Sequence, residues 1–513
     1  MASVSDSERS ESGQAEAEGE NLACILTATA SEHGDRIAMK LDETELSYEQ
    51  LEEASARAAG LIRAKGVQAG DRVAVMLPNV PYFAILYFGI LRAGAVVVPL
   101  NPRYGKSEVA YHVGDSEAKV LFAWHQFADA AEHGAGEHDI EMVPVEPGKF
   151  EELLGEAEAD SEVAERSHDD PAVILYTSGT TGAPKGAVLT HGNVAKSTAV
   201  ATTLVEMSED DVILGALPFF HVFGQACGLN SATKLGACVS LIPKFDAKAT
   251  LEAIQRDGVT VFEGVPTMYS AVMGFEERDQ YDTSSLRVAI VGGQAMPVEV
   301  MEKFEQAFEI DVLEGYGLSE TCAVGTFNYP DARKPGSVGK PVEGIEVKIV
   351  DEQRDEVAQG EIGEIAIKGA NVMREYWKKA EETEEDLREG WFHTGDLGHI
   401  DEDGYVFIDD RKKDMIIRGG ENVYPREIEE VLYRHDGISE VAVIGVEHER
   451  LGEEVAAAIV LKDDDSLSPE EIRDYALEKL SKYKVPTKIW FLDELPKGPT
   501  GKILKRELEP PQD

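Results

Sequence analysis

Short apolar runs alternate with amphipathic stretches along most of this chain, and that alternation limits its fold more tightly than any other feature. Ser47 and Gln50 have the spacing of a capping box, Leu51, Ala58, Leu61 and Ile62 form an apolar stripe, and Gly66 stops the helix so begun. Arg72-Val-Ala-Val-Met-Leu77 then reads as a buried strand. The longest apolar stretch, 82–100, is interrupted by Arg92, Gly94 and Pro99, which makes it a helix followed by a strand and not a membrane span. Further strands are expected at 172–176, 212–217, 259–263, 287–291 and 312–314, with helices at 250–256 and 297–308. Strands and helices taking turns predict α/β layers around a largely parallel sheet.

From 342 to 408 the pattern changes to strands parted by Gly344, Gly360, Gly363 and Gly404, as in a more antiparallel β subdomain. After Asp410 the chain restarts on a smaller scale: a helix at 425–434, strands at 440–446 and 455–461, a helix opened by Ser468, Pro469 and Glu471, and a strand at 489–492. The expected fold class is α/β: a large N-terminal domain of α/β layers with a β subdomain, and a small α+β C-terminal domain. The expected boundaries are 1–20 for a disordered acidic tail, 21–410 for the large domain and 411–513 for the small one.

Charge excludes several functions. Asp and Glu number 97 against 49 Lys and Arg, a formal net charge of −48. Such a chain is unsuited to nucleic-acid phosphates or to an anionic membrane surface. A carboxylate excess of this kind reads as the surface of a salt-adapted, halophilic cytoplasmic protein, with high ionic strength screening the self-repulsion. Four cysteines without a C-x-x-C pair make neither a disulfide framework nor a zinc site. The first 20 residues lack the basic start and apolar run of a signal peptide.

The strongest local signal is Tyr176-Thr-Ser-Gly-Thr-Thr-Gly-Ala-Pro-Lys-Gly186, directly after an apolar run. Its glycines let backbone N–H groups converge, its hydroxyls add donors and Lys185 adds a charge, which together suit a polyphosphate. A Walker A loop is excluded, because Pro184 stands at its second required glycine and Gly186 where Ser or Thr would hold magnesium.

With this loop, four further segments resemble, in order, those of the adenylate-forming superfamily, which unites acyl-CoA synthetases, peptide-synthetase adenylation domains and luciferases. They are Gly315-Tyr-Gly-Leu-Ser-Glu-Thr321, Thr394-Gly-Asp396, the run from Asp410-Arg-Lys-Lys-Asp414 to Tyr424-Pro425, and Pro496-Lys-Gly-Pro-Thr-Gly-Lys502. The resemblance implies an AMP-forming acid–thiol ligase. A carboxylate attacks the α-phosphorus of ATP to give an acyl adenylate and pyrophosphate, and a thiol then displaces AMP. Bringing an anion onto a polyanion calls for Mg2+ and cationic side chains.

The same resemblance assigns residues. Thr177, Ser178, Gly179, Thr180, Thr181, Gly182 and Lys185 would hold the phosphates, Ser319 would face the α-phosphate, and Glu320 would bind magnesium. Gly292, Gly293 and Gln294 would face adenine with Tyr316 and Gly317 against the base, and Asp396, beside Arg411, would bind the ribose. Lys502 would bridge the carboxylate and the α-phosphate. Lys413 would be the hinge of a mobile C-terminal domain, and Gly419 and Gly420 would border the pantetheine channel of coenzyme A. In the small domain, Arg411, Lys412, Lys413 and Arg418 cluster, as do Lys479, Lys482, Lys484, Lys488, Lys497, Lys502, Lys505 and Arg506. They would either focus ATP and CoA or form a solvated face paired with Glu478, Asp493 and Glu507.

For the acid, Pro218-Phe-Phe-His-Val-Phe-Gly224 resembles the border of the acyl pocket in acyl-CoA synthetases, with His221 as an aromatic gate. Val222 stands where amino-acid-activating relatives place an Asp, which disfavours an amino acid. Gly224, Ala226, Gly264, Val265, Gly325 and the surroundings of Ala323 are expected to leave an apolar slot. The reading is a medium- or long-chain fatty acid joined to free CoA, with an aryl-CoA ligase as the alternative and a noncatalytic nucleotide- or acyl-binding protein as the reading from another class. Expected partners are therefore small molecules, with a homodimer left open.

Overall fold

The computed structural model describes residues 21–177, 183–448, 450–462, 466–498 and 501–511. The expected acidic tail, 1–20, lies outside them. Among the described residues the strands build four sheets. The largest has a parallel centre of Asp311–Tyr316, Val288–Val291, Val261–Gly264, Val212–Gly215 and Cys238–Leu241. These strands are apolar at nearly every position because both faces are covered. The helices Ala247–Asp257 and Val298–Phe308 cover one face, where Phe262, Tyr269, Phe304 and Phe308 form one aromatic cluster.

A second sheet runs Glu141–Val145, Ala118–Trp124, Arg72–Met76, Val96–Pro99 and Pro171–Thr177, all parallel, and then turns antiparallel at Lys185–Thr190. Thr177 pairs with Lys185 across that last ladder. The hydroxyl-rich loop is therefore the tip of a hairpin and not the strand-to-helix turn of a P-loop. Helix Tyr48–Ala64 carries the expected capping box, with Ser47 and Gln50 each bonded to the other's backbone N–H.

The region after 342 is antiparallel as expected, with Ile345–Val350, Gly363–Gly369, Trp391–Ile400 and Val406–Arg411 in one sheet. Its strand Val406–Arg411 runs one residue past the expected domain boundary at 410, since Arg411 still pairs with Asp396. The small domain's sheet contains Ile438–His448 and Gly452–Leu461, flanked by helices Pro425–Tyr433 and Pro469–Leu477.

Two local details depart from the sequence reading. The strand expected to reach 217 stops at Gly215, because the Asn79 amide donates to the carbonyls of Gly215 (2.8 Å) and Leu217 (2.7 Å) and bends the chain. The segment Phe223–Asn230 is a π-helix, a geometry found mostly at functional sites.

The loop ahead of Glu375–Tyr376 braces the turn that follows Asp311–Tyr316. There the buried Asn371 amide donates to the carbonyls of Thr321 (2.7 Å) and Val324, and Met373 N–H donates to the carbonyl of Glu320 (2.7 Å). Asn371→Ala leaves two buried carbonyls unpaired and is expected to cost about 2 kcal/mol in denaturant unfolding; an unchanged midpoint would mean that the brace carries no weight.

Candidate active site

Loops leaving the carboxyl ends of the central parallel strands converge on one cleft, where ligands of open α/β sheets bind. After Val288–Val291 the chain turns at Gly292 and Gly293, and Gly293 has φ +76°. A Cβ on Gly292 would lie 3.2 Å from the Phe223 ring, and one on Gly317 only 2.1 Å from the Ala323 carbonyl oxygen. These glycines let the backbone close on itself around the cleft. Gln294 follows, its side-chain oxygen buried and without a partner among the described residues.

Tyr316 ends its strand with the phenol donating to Asp396 Oδ2 at 2.6 Å. Arg411 Nε lies 3.0 Å from Asp396 Oδ1. Asp396 is 4% exposed, so its charge is held by these two partners and not by water. Asp396 in turn holds the Arg411 guanidinium well above its ordinary range.

Of the phosphate loop, Ser178, Gly179, Thr180, Thr181 and Gly182 lie outside the described residues. Its two ends do not. The Thr177 hydroxyl donates to Glu320 Oε1 at 3.3 Å, and Lys185 Nζ lies 3.4 Å from Asp386 and 4.7 Å from the centre of the Tyr376 ring. Ser319 opens the single turn Ser319–Thr321 that presents Glu320. Tyr376 also donates to Glu320, at 3.0 Å. Burial holds the Glu320 carboxyl above its usual range against these hydrogen bonds, a state that a bound cation would reverse. Magnesium takes one or two protein carboxylates and completes its shell with phosphate and water, so this single buried carboxylate fits it. Among the described residues no cluster of three or more His, Cys, Asp or Glu could hold a metal alone. The sequence reading missed Tyr376 and Asp386, which reach the loop from almost two hundred residues away in the chain.

Lys502 enters from the small domain. The preceding Gly501 carbonyl accepts from Thr267 Oγ1 at 3.1 Å, docking this loop on the first turn of helix Pro266–Met273. Burial lowers the Lys502 ammonium to about 8, with Arg411 adding to the shift and Asp396 opposing it. His221 is brought down to about 4 by burial and by Lys502, so it is neutral at physiological pH, and its Nδ1 accepts from Phe223 N–H.

Lys413 sits exposed in the turn after Arg411, and its charge contributes to lowering Lys502. Gly419 (φ +62°) and Gly420 (φ +92°) form the hairpin turn between Ile416–Arg418 and Glu421–Val423. That conformation alone explains two glycines. Gly419 packs on Leu451, and nothing lies within 4 Å of a Cβ placed on Gly420. The cationic cluster of the small domain is paired, but not with Glu478, Asp493 and Glu507. Arg418 meets Glu454, Lys484 meets Glu427, Lys497 meets Glu440 and Lys505 meets Glu429.

Behind His221 a cavity extends into the large domain, with about 590 Å³ free of protein atoms, its mouth included. Gly292, Gly293 and Gly317 line it with Ala323, Leu204, Met207, Val222, Phe223, Val324 and Phe327. The expected slot is therefore corrected. Of its named residues only Ala323 lines the cavity. A Cβ on Gly224 would meet the Leu217 carbonyl at 2.6 Å, one on Gly264 the Phe262 ring at 2.9 Å, and one on Gly325 the Tyr316 carbonyl at 3.0 Å. Those three glycines serve close packing, while Ala226 lies in the main core and Val265 packs with Leu217 and Met268.

Residues 26–377 match the AMP-binding enzyme family and residues 427–502 the AMP-binding enzyme C-terminal domain. The chain is 38% identical to the long-chain-fatty-acid–CoA ligase of Bacillus subtilis, over 95% of this chain and 94% of that protein. It is equally 38% identical to a feruloyl-CoA synthase of an Amycolatopsis species, over 94% and 95% of the two chains. The structure superposes on the anthranilate CoA ligase AuaEII, solved with anthranoyl-AMP, with a TM-score of 0.91 at 29% identity, covering 95% of this chain and 96% of that one.

The Lys502 ammonium gives the cleft a titratable cation. If its charge is required, kcat/KM for acyl-adenylate formation falls as pH rises through about 8. Lys502→Arg, slower but permanently charged, is expected to lose that alkaline limb; a limb retained in the variant would place the titration elsewhere.

Proposed function

The chain belongs to the AMP-binding enzyme family as an AMP-forming acid–thiol ligase, and on that premise we propose that it joins a medium- or long-chain fatty acid to coenzyme A. The observation that carries this reading is the cavity behind His221, whose wall is mostly aliphatic and aromatic carbon. Burial of alkyl surface there would add about 0.8 kcal/mol per methylene.

In this reading the cleft works by positioning and charge. ATP lies with adenine at Gly292, Gly293, Gln294, Tyr316 and Gly317, its ribose on Asp396 beside Arg411, and its phosphates on Lys185, Thr177 and the hydroxyl loop, with Ser319 near the α-phosphate. Glu320 would hold Mg2+, which when bound neutralises phosphate charge. Tyr376 and Thr177 orient that carboxylate by their hydrogen bonds. His221, neutral in this site, borders the acid without adding a second cation beside Lys502. The Lys502 ammonium bridges the substrate carboxylate and the α-phosphate, drawing the attacking oxygen and the phosphorus together while it offsets their mutual repulsion. After pyrophosphate leaves, the small domain turns about Lys413 and withdraws Lys502. The thiol then approaches past Gly419 and Gly420, attacks the acyl carbon, and AMP departs.

The test is AMP formation with a panel of acids of graded length and aromaticity, in high and low salt. A fatty-acid enzyme raises kcat/KM about fourfold per methylene until the cavity is filled. A flat series with faster turnover of cinnamic or benzoic acids would make the chain an aryl-CoA ligase, and activity confined to low salt would overturn the halophilic reading.

A further inference from the structure

The wall of the acyl cavity is apolar except at a few points, and most of those are already engaged. Thr326 lines the cavity, but its hydroxyl donates to the Val338 carbonyl at 2.6 Å. Tyr316 is committed to Asp396. Glu263 is different. It stands on strand Val261–Gly264 at 1% exposure and lines the cavity, and both of its carboxylate oxygens are buried without a hydrogen-bond partner among the described residues. Burial raises its carboxyl to about 8, with no cation counted among the causes, so the group is mostly neutral at physiological pH.

The neighbours do not serve it. The Tyr269 phenol, close enough to feel the Glu263 charge, donates instead to the Ile290 carbonyl at 2.8 Å. Cys227, also in the cavity wall, carries a buried thiol, a weak donor at best. On the facing π-helix the residue nearest the carboxyl is Gly228, where a Cβ would lie 3.3 Å from Glu263 Oε2. Any larger residue at 228 would crowd the one polar group that the cavity leaves open. A carboxyl buried with neither oxygen paired costs free energy that a leucine at the same place would not. It is compensated only if something brought into the cavity pairs with it.

We propose that Glu263 receives a hydroxyl group carried on the acyl part of the substrate, so that the acid preferred by this enzyme is an apolar acid hydroxylated at a fixed distance from its carboxylate. A neutral carboxyl both donates and accepts, as an alcohol or phenol does, whereas an ammonium would require the ionised form in an apolar wall. The inference rests on the cavity being the acyl site and adds a polar register point to it. The hydroxyl can be borne by an alkyl chain or by an aromatic ring, and the arms of the test separate the two.

The test compares kcat/KM for AMP formation on matched pairs of acids with and without one hydroxyl, the hydroxyl stepped along an alkyl chain in one arm and around a phenylpropenoic acid in the other. The wild type is expected to favour one hydroxyl position by about tenfold or more over the unsubstituted acid, the discrimination expected when a buried polar group is paired rather than orphaned. Glu263→Leu is expected to reverse that preference by improving the unsubstituted acid, and Glu263→Gln, which keeps a donor and an acceptor, to retain part of it. ATP binding should be the same in all three proteins. Preference confined to the aromatic arm would keep this assignment and overturn the fatty-acid reading. Good turnover of alkyl acids with no preferred hydroxyl position in the wild type would keep the fatty-acid reading and overturn this one, whether or not the variants fold.

Discussion

One buried carboxylate organises the cleft. Asp396 sits on a strand of the antiparallel subdomain, yet it is gripped from the large sheet by the Tyr316 phenol and from the neighbouring strand by Arg411. A charge so enclosed must be paired, and losing either partner would leave it stranded in a low-dielectric site. The pairing therefore fixes how the two sheets meet. It also fixes where the chain departs for the small domain, because Arg411 is the last residue of its strand. Lys502 returns into the same field, where Arg411 repels it and Asp396 holds it.

The cleft stands apart from the acidic exterior. Its cations are matched internally, Lys185 by Asp386 and Arg411 by Asp396, while the buried Glu314 carboxyl is raised to about 7 and Asp410 to about 6, in each case mainly by burial. A triphosphate arriving at Lys185 would exchange one carboxylate partner for another anion instead of filling an unpaired site. Binding strength then depends on the difference between the two pairings, which tempers affinity and allows pyrophosphate to leave.

Much of this was legible in the residues because the signals were local. Apolar runs placed the parallel strands, Ser47 and Gln50 placed a cap, and the Pro184 and Gly186 departures excluded a P-loop before the hairpin at Thr177 and Lys185 excluded it by topology. The failures were long-range. Tyr376, Asp386 and Asn371 act on turns far away in the chain, and no pattern within their own segments marks them. Gly224, Gly264 and Gly325 looked like space for a ligand, whereas each has a carbonyl or a ring already filling the place of its missing side chain. The partners of the small domain's lysines were misjudged for the same reason, since Glu427, Glu429 and Glu440 come from other elements. Glu263 sat unremarked in a strand, because a lone acidic residue in an apolar run gives no hint of which side it faces.

The central claim is that the docked position of the small domain serves the first half-reaction and must be abandoned for the second. A Cβ on Gly501 would lie 4.0 Å from that of Thr267, a separation that a disulfide spans. The direct measurement is the rate of each half-reaction in a Thr267→Cys, Gly501→Cys double variant, oxidised and reduced. The account predicts that the oxidised protein still exchanges pyrophosphate into ATP in the presence of the acid but makes no thioester until a reductant releases the small domain. Thioester formation at the same rate in the oxidised and reduced protein would contradict it.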